Sequence, residues 1–120
     1  MKRILITGSR NWTNDNIIRN ALLEHGPGVV VHGGCRGADG KAARIALELG
    51  WAVECHDVTG EEWDLIGPAA GPQRNQRMVD LGADVCLAFP MTGSKGTWTC
   101  VRMARKAGIP TFVYPVISRQ

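Results

Sequence analysis

The stretch VVVHGGCRGADG, residues 29–40, runs from three valines and a histidine into four glycines spread over eight positions, with one arginine among them. Three β-branched residues in a row read as a short strand. The glycines mark a turn whose backbone must bend sharply or approach another group closely. Beyond them, Ala38 to Leu49 places Ala42, Ile45, Ala46 and Leu49 on one helical face, and Gly50 follows as a C-terminal stop. Strand, glycine turn and helix in that order make most of a βαβ unit, and the same succession recurs along the chain.

Four further apolar runs read as strands: Ile4 to Thr7, Ala52 to Cys55, Val85 to Phe89 and Thr111 to Tyr114. Like Val29 to His32 they are short and nearly continuous rather than alternating, the pattern of strands covered on both faces. Helices are expected between them. Asn14 to His25 groups Ile17, Ile18, Ala21 and Leu22 after Thr13 or Asn14 as N-cap. Gln73 to Leu81 ends at Gly82, and Thr97 to Ala107 ends at Gly108 with Pro110 beyond it. Alternating strands and helices joined by right-handed crossovers predict an α/β fold, a single Rossmann-like three-layer domain spanning residues 1–120 around a parallel sheet of about five strands. The interruption is Asp57 to Pro72, a long connection rich in Gly and Pro and expected to be a functional loop. Val116 to Gln120 reads as a loose tail.

The 120 residues suit one domain, and 44% hydrophobic with 21% charged residues is ordinary for a globular protein. A formal charge of +3 is too small by itself to argue for wrapping a nucleic-acid backbone. No apolar run is long enough to cross a bilayer, and the N-terminus has no signal-peptide pattern. Cys35, Cys55, Cys86 and Cys100 form no CxxC pair, so they read as ordinary buried thiols in a reducing cytoplasm. His32, Cys35, Cys55 and His56 match no familiar metal-ligand spacing, and no metal or required cofactor is expected.

In a parallel sheet the loops leaving the carboxyl ends of the strands gather along one edge, where such folds bind ligands. Those loops share one chemistry. The first carries Gly8, Ser9 and Arg10; the second Gly33, Gly34, Arg36 and Gly37; the long connection ends in Gly71, Arg74 and Asn75; the last carries Gly93, Ser94, Lys95, Gly96 and Thr97. Glycine allows close backbone approach, a helix start offers unpaired N–H donors, and arginine recognises oxyanions bidentately. Any single loop of this kind also fits a plain strand-to-helix turn. Four converging on one edge read as an anion site. Asp39 is either a helix cap or a ribose ligand, and Asp57 is a second carboxylate for the sugar role. Trp12 and Trp63 are open as base-stacking platforms, whereas Trp98 and Trp51 read as packing. Walker A is absent, because Gly40-Lys41 is followed by Ala42, and the GGxxGxxG spacing of Gly33, Gly34, Gly37 and Gly40 is not GxGxxG.

Thr7-Gly8-Ser9-Arg10-Asn11-Trp12, His32 to Asp39, Ala70 to Asn75 with Trp63 ahead of it, and Gly93 to Thr97 together resemble the YspA and YpsA-related branch of the SLOG superfamily. The resemblance implies a Rossmann-like domain that binds a nucleotide or a nucleotide-derived ligand, often as a homodimer. It also makes this chain a distant relative of LOG-type phosphoribohydrolases, which release a base from a nucleoside monophosphate. Arg74 matches their arginine and Gly96-Thr97 their GT pair, but Thr99 and Cys100 stand where an acidic residue is expected. Nucleotide binding is therefore the leading expectation. N-glycosidic hydrolysis, with Arg74 and Asp39 as catalytic candidates, is the alternative. Single-stranded nucleic-acid binding is a third reading, which predicts steeply salt-dependent affinity.

Overall fold

The computed structural model describes residues 1–34 and 36–114. Cys35 and the expected tail at Val116 to Gln120 lie outside the described residues. Five strands, β1 (Arg3–Gly8), β2 (Val29–His32), β3 (Val53–Cys55), β4 (Val85–Phe89) and β5 (Thr111–Val113), form one sheet in the order β3-β2-β1-β4-β5. All four pairings are parallel. The helices are α1 (Asp15–His25), α2 (Gly37–Glu48), α3 (Gly60–Ile66), α4 (Ala70–Leu81) and α5 (Lys95–Lys106).

The continuous apolar strands follow from the layering. Side chains alternate across a strand, so Ile4 and Ile6 pack with Ile18, Leu22, Ile45 and Ala46 of α1 and α2, whereas Leu5 packs with Met78, Val79 and Ala104 of α4 and α5. Both faces are covered, and β4 is buried at all five positions. The edge strands β3 and β5 are three residues each and only partly covered, which leaves little unpaired edge for another chain.

Capping residues set several boundaries. The Asn14 side chain accepts the Ile17 N–H at 3.1 Å and starts α1; Asn14→Ala is expected to cost about 1 kcal/mol in urea unfolding. One long-range ion pair fixes the β3 edge. Arg3 donates to both carboxylate oxygens of Glu54 at 2.8 and 2.9 Å and to the Gly82 carbonyl at 2.9 Å. The Arg3 guanidinium, with His56 beside it, holds the Glu54 carboxyl at about 2. A depressed carboxyl stabilises the fold above its unfolded range and loses that contribution as pH falls toward 2. With both partners about a third exposed, Glu54→Gln should cost about 1 kcal/mol at pH 7, and less at each step below pH 4.5.

The connection after β3 departs from the sequence reading. Most of it is helical: α3 is followed by a 3-10 turn at Gly67–Ala69 that runs directly into α4. Thr59 and Glu62 form a capping box, with the Glu62 N–H donating to the Thr59 hydroxyl at 3.0 Å and the Thr59 N–H to the Glu62 carboxylate at 3.5 Å. No residue of α3 is buried, and Trp63, Leu65 and Ile66 are all exposed. Without an apolar stripe there was no helical periodicity to read. In turn α4 begins at Ala70 rather than Gln73, so Gly71 and Pro72 lie inside its first turn, the one place where an α-helix tolerates proline.

The tryptophans and thiols also sort differently from expectation. Trp12 is buried, donates its indole N–H to the Asn14 carbonyl at 2.8 Å and meets Phe89 edge-on at 5.3 Å. It is core, not a platform for a base. Trp98, expected to pack, is 41% exposed. Its spacing of three to Val101 and again to Ala104 slips about 60° around the helix at each step, and the buried stripe runs instead through Thr97, Cys100, Val101 and Ala104. Trp51 does pack, partly buried against the core. Cys86 and Cys100 are buried, but Cys55 is exposed because β3 is an edge strand.

Candidate functional site

The chain lays down β1, β2 and β3 toward one side, then crosses back to place β4 and β5 on the other. Strand order therefore reverses between β1 and β4, and the crevice outside the carboxyl ends of such neighbours is where open α/β sheets hold ligands. The polar interior of the domain gathers on this side. Among the described residues the buried polar side chains are Thr7, His32, Asn75 and Thr97. Thr7 is the penultimate residue of β1 and His32 the last of β2, Asn75 is in the second turn of α4, and Thr97 is in the first turn of α5.

Ser9 ties the exits together through its backbone. Its N–H donates to the Phe89 carbonyl at 3.0 Å, and its own carbonyl accepts from Trp12 at 3.3 Å and from Ala38 at 3.1 Å. The start of α2 is thus held on the β1 exit. Gly37 makes this approach possible: its φ is +61°, and a Cβ there would lie 2.2 Å from the Ser9 carbonyl oxygen.

Arg74, Gly33 and Asp39 form the centre of the cluster. The Arg74 guanidinium lies flat against Gly33, where a Cβ would come within 2.5 Å of its carbon. One terminal nitrogen donates to the Gly33 carbonyl, and Nε donates to the Asn75 side chain at 2.8 Å. At the same turn, the Gly33 N–H donates to the Asp39 carboxylate at 2.9 Å, and the Gly34 N–H also lies within its reach. The Gly34 N–H meets His32 Nδ1 at 3.3 Å as well, which leaves the ring proton on Nε2.

Burial dominates the electrostatics here. It pushes the Asp39 carboxyl up to about 7 against the opposing pull of the Gly33 amide and Arg74, and it moves His32 below its ordinary value. Burial also drives the Cys100 thiol to about 11 and raises Cys86, so neither is a thiolate nucleophile at neutral pH. A carboxyl that keeps its proton to higher pH in the folded state gives stability that is complete below about pH 4 and lost as pH rises through about 7. The stability of Asp39→Asn relative to the parent should therefore rise between pH 4 and pH 8 in thermal unfolding.

The remaining sequence candidates fall into two groups. Ser9, Gly33, Gly34, Gly37, Asp39, Arg74 and Asn75 are joined by the contacts above, Gly8 precedes Ser9 at the end of β1, and Thr97 is buried in the first turn of α5. Arg10, Arg36 and Gly93 are exposed on the turns, Lys95 and Gly96 are exposed at the start of α5, Ser94 is half-buried, and Gly71 belongs to the first turn of α4. The Ser94 hydroxyl accepts from the Met91 N–H at 2.9 Å, and α5 begins with no side-chain cap and no acidic residue in its first turn. The Lys95 N–H donates to the Gly93 carbonyl at 2.8 Å, and the other first-turn N–H groups have no intrahelical partner, as at any helix start. Asp39 is partly buried and its carboxylate accepts from the Gly33 N–H. Thr7 and His32, which the sequence offers within the family motifs and His32 also as a metal ligand, are not among the expected binding residues, although both are polar residues near the ends of largely apolar strands. No group of His, Cys, Asp and Glu among the described residues has the arrangement to hold a metal ion.

Shallow open hollows of about 400 and 430 Å³ lie elsewhere, on the outer side of α4 and α5. Gln76, Arg77 and Asp80 line one, Thr99 and Arg102 the other. Neither is lined by one of the buried polar residues.

A parallel α/β sheet of this order, with its buried polar residues beside the point where the order reverses, defines a Rossmann-like domain. The chain belongs to the YspA, cpYpsA-related SLOG family, whose family model matches residues 2–59. The matched part contains the β1 exit, the Gly33 turn and Asp39, and stops before Arg74 and the Gly93 to Thr97 loop. The Gene 61 protein of Mycobacterium phage D29 is 50% identical over 119 aligned residues, which cover 92% of this chain and 94% of that protein. No solved structure matches the chain. No helix among the described residues is long and apolar enough to cross a membrane.

Proposed function

We propose that this protein binds a nucleotide or nucleotide-derived ligand in the crevice outside the carboxyl ends of β1 and β4. The observation that carries the reading is the gathering of Arg74, Asp39 and the buried polar residues Thr7, His32, Asn75 and Thr97 at that one edge. Membership of the SLOG family is compatible with it. Arg74 and the amides of the Gly33 to Gly37 and Gly93 to Thr97 segments would hold the phosphate, and Arg10, Arg36 and Lys95 would add charge from the rim. Exposed Trp63 on α3 and Trp98 near the start of α5 are the aromatics on which a base could stack. Mass spectrometry of small molecules released from the purified protein should find a nucleotide. Release of none, together with no binding across a panel of nucleoside mono- and diphosphates, would remove the reading.

The placing of the Asp39 carboxylate and the Arg74 guanidinium on the same Gly33 turn favours a second reading. Burial pushes that carboxyl up to about 7, the range a general acid for N-glycosidic cleavage requires. Incubation with nucleoside monophosphates should then release free base, and Asp39→Asn should abolish that release.

A further inference from the structure

We propose that Asp39 is an internal stand-in for the ligand's anionic group, and that an anion binds by displacing its carboxylate from the Gly33 and Gly34 amides. The geometry is that of an occupied oxyanion cradle. The Gly33 N–H donates to Asp39 Oδ2 at 2.9 Å, Gly34 offers a second donor, and the Arg74 guanidinium packs on the same turn. These are the partners that a phosphate or sulfate oxygen would take. Asp39 belongs to the first turn of α2, so its carboxylate arrives with the helix that Gly37 and Ser9 fix in place. The carboxylate and an incoming oxyanion cannot share two amides, because like charges at that separation repel strongly in a desolvated site.

The exchange is therefore linked to protonation. A neutral carboxyl gives up the amides more readily and does not repel the anion, so affinity should fall as Asp39 ionises. The groups that face or couple to Asp39 are Gly33 and Gly34 at the end of β2, Arg74 from α4, Cys86 from β4 and Cys100 from α5, with Thr7 of β1 bonded to Cys100. Burial moves His32, beside the same amides, below its ordinary value, and burial raises both thiols. That leaves Asp39 as the group of this set expected to change charge between pH 6 and pH 8.5.

The inference deepens the nucleotide reading and rests on it for the ligand's identity, but not for the exchange. Sulfate is the probe, because it remains a dianion throughout this range. Titrated into the full chain and followed by amide chemical shifts, it should move Gly33 and Gly34 and bind roughly 10- to 30-fold more weakly at pH 8.5 than at pH 6. Asp39→Asn should bind at least about tenfold tighter than the parent at pH 8.5, and its pH dependence should shrink to whatever the retained His32 contributes. Should Asp39→Asn not fold, the parent's pH series carries the test alone. A flat series, weaker binding by Asp39→Asn, or shifts confined to other amides overturns the proposal. Sulfate exchange with no nucleotide binding would sink the nucleotide reading and keep this one. Tight nucleotide binding that Asp39→Asn weakens would do the reverse.

Discussion

Gly37→Ala should destabilise the protein by about 3–5 kcal/mol, the upper end of what single substitutions do. Two costs add at this position. The backbone is in the left-handed region, with φ of +61°, which a side chain disfavours by about 1 kcal/mol. The larger cost is steric, since the new Cβ would sit 2.2 Å from the Ser9 carbonyl oxygen. That oxygen cannot retreat without breaking its bonds from Trp12 and Ala38, which hold the β1 exit and the α2 start together. Against a total stability of about 5–15 kcal/mol for a domain, the melting temperature should fall by roughly 10–20 °C. Gly34→Ala is the control three residues away. A Cβ there meets nothing within 4 Å, so its effect should stay within about 0.5 kcal/mol. Equal effects from the two would mean that α2 is not seated on the β1 exit.

Arg74→Ala should weaken nucleotide binding by about a hundredfold, the loss of one or two charge-assisted hydrogen bonds to a phosphate. Arg74→Lys should recover little, because the flat guanidinium both packs on Gly33 and presents its donors as a fork. Arginine at this position is also structural, which the sequence did not reveal. Its removal leaves the Gly33 carbonyl and the Asn75 side chain without their donor, a cost of about 1–3 kcal/mol. Gly33→Ala separates the two roles. Its Cβ collides with the mobile end of Arg74 rather than with backbone, so it should pivot the guanidinium away and lower affinity at a smaller cost in stability. Lower stability with unchanged affinity in both variants would make Arg74 a clamp and nothing more.

The sheet was legible because burial on both faces leaves a plain mark: VVVH, ILIT and VCLAF are short apolar runs wherever they occur, and β2 and β4 have the boundaries read from them. Glycines at helix ends were equally clear, with Gly50, Gly82 and Gly108 all at positive φ. The α3 segment was not legible, since a helix that buries nothing has no stripe, and its signal lay only in the Thr59 and Glu62 capping box. The sequence named Arg74 and Asp39 as candidates but could not give their partners. An arginine and an aspartate near helix starts look alike whether they face solvent or, as here, bond the carbonyl and the N–H of Gly33. That pairing joins residues 33 and 74, which are 41 positions apart and brought together by the crossover from β3 to α4.

The most direct test of the account is a titration of the full chain with AMP, following every backbone amide. Binding at the carboxyl edge should shift Gly8, Gly33, Gly34, Asn75, Gly96 and Thr97 together, along one saturating curve, and Arg74→Ala should move that curve about a hundredfold to higher concentration. Shifts confined to the outer side of α4 and α5, around Gln76, Arg77 and Arg102, or no saturable shift with AMP or any other nucleotide, would contradict it.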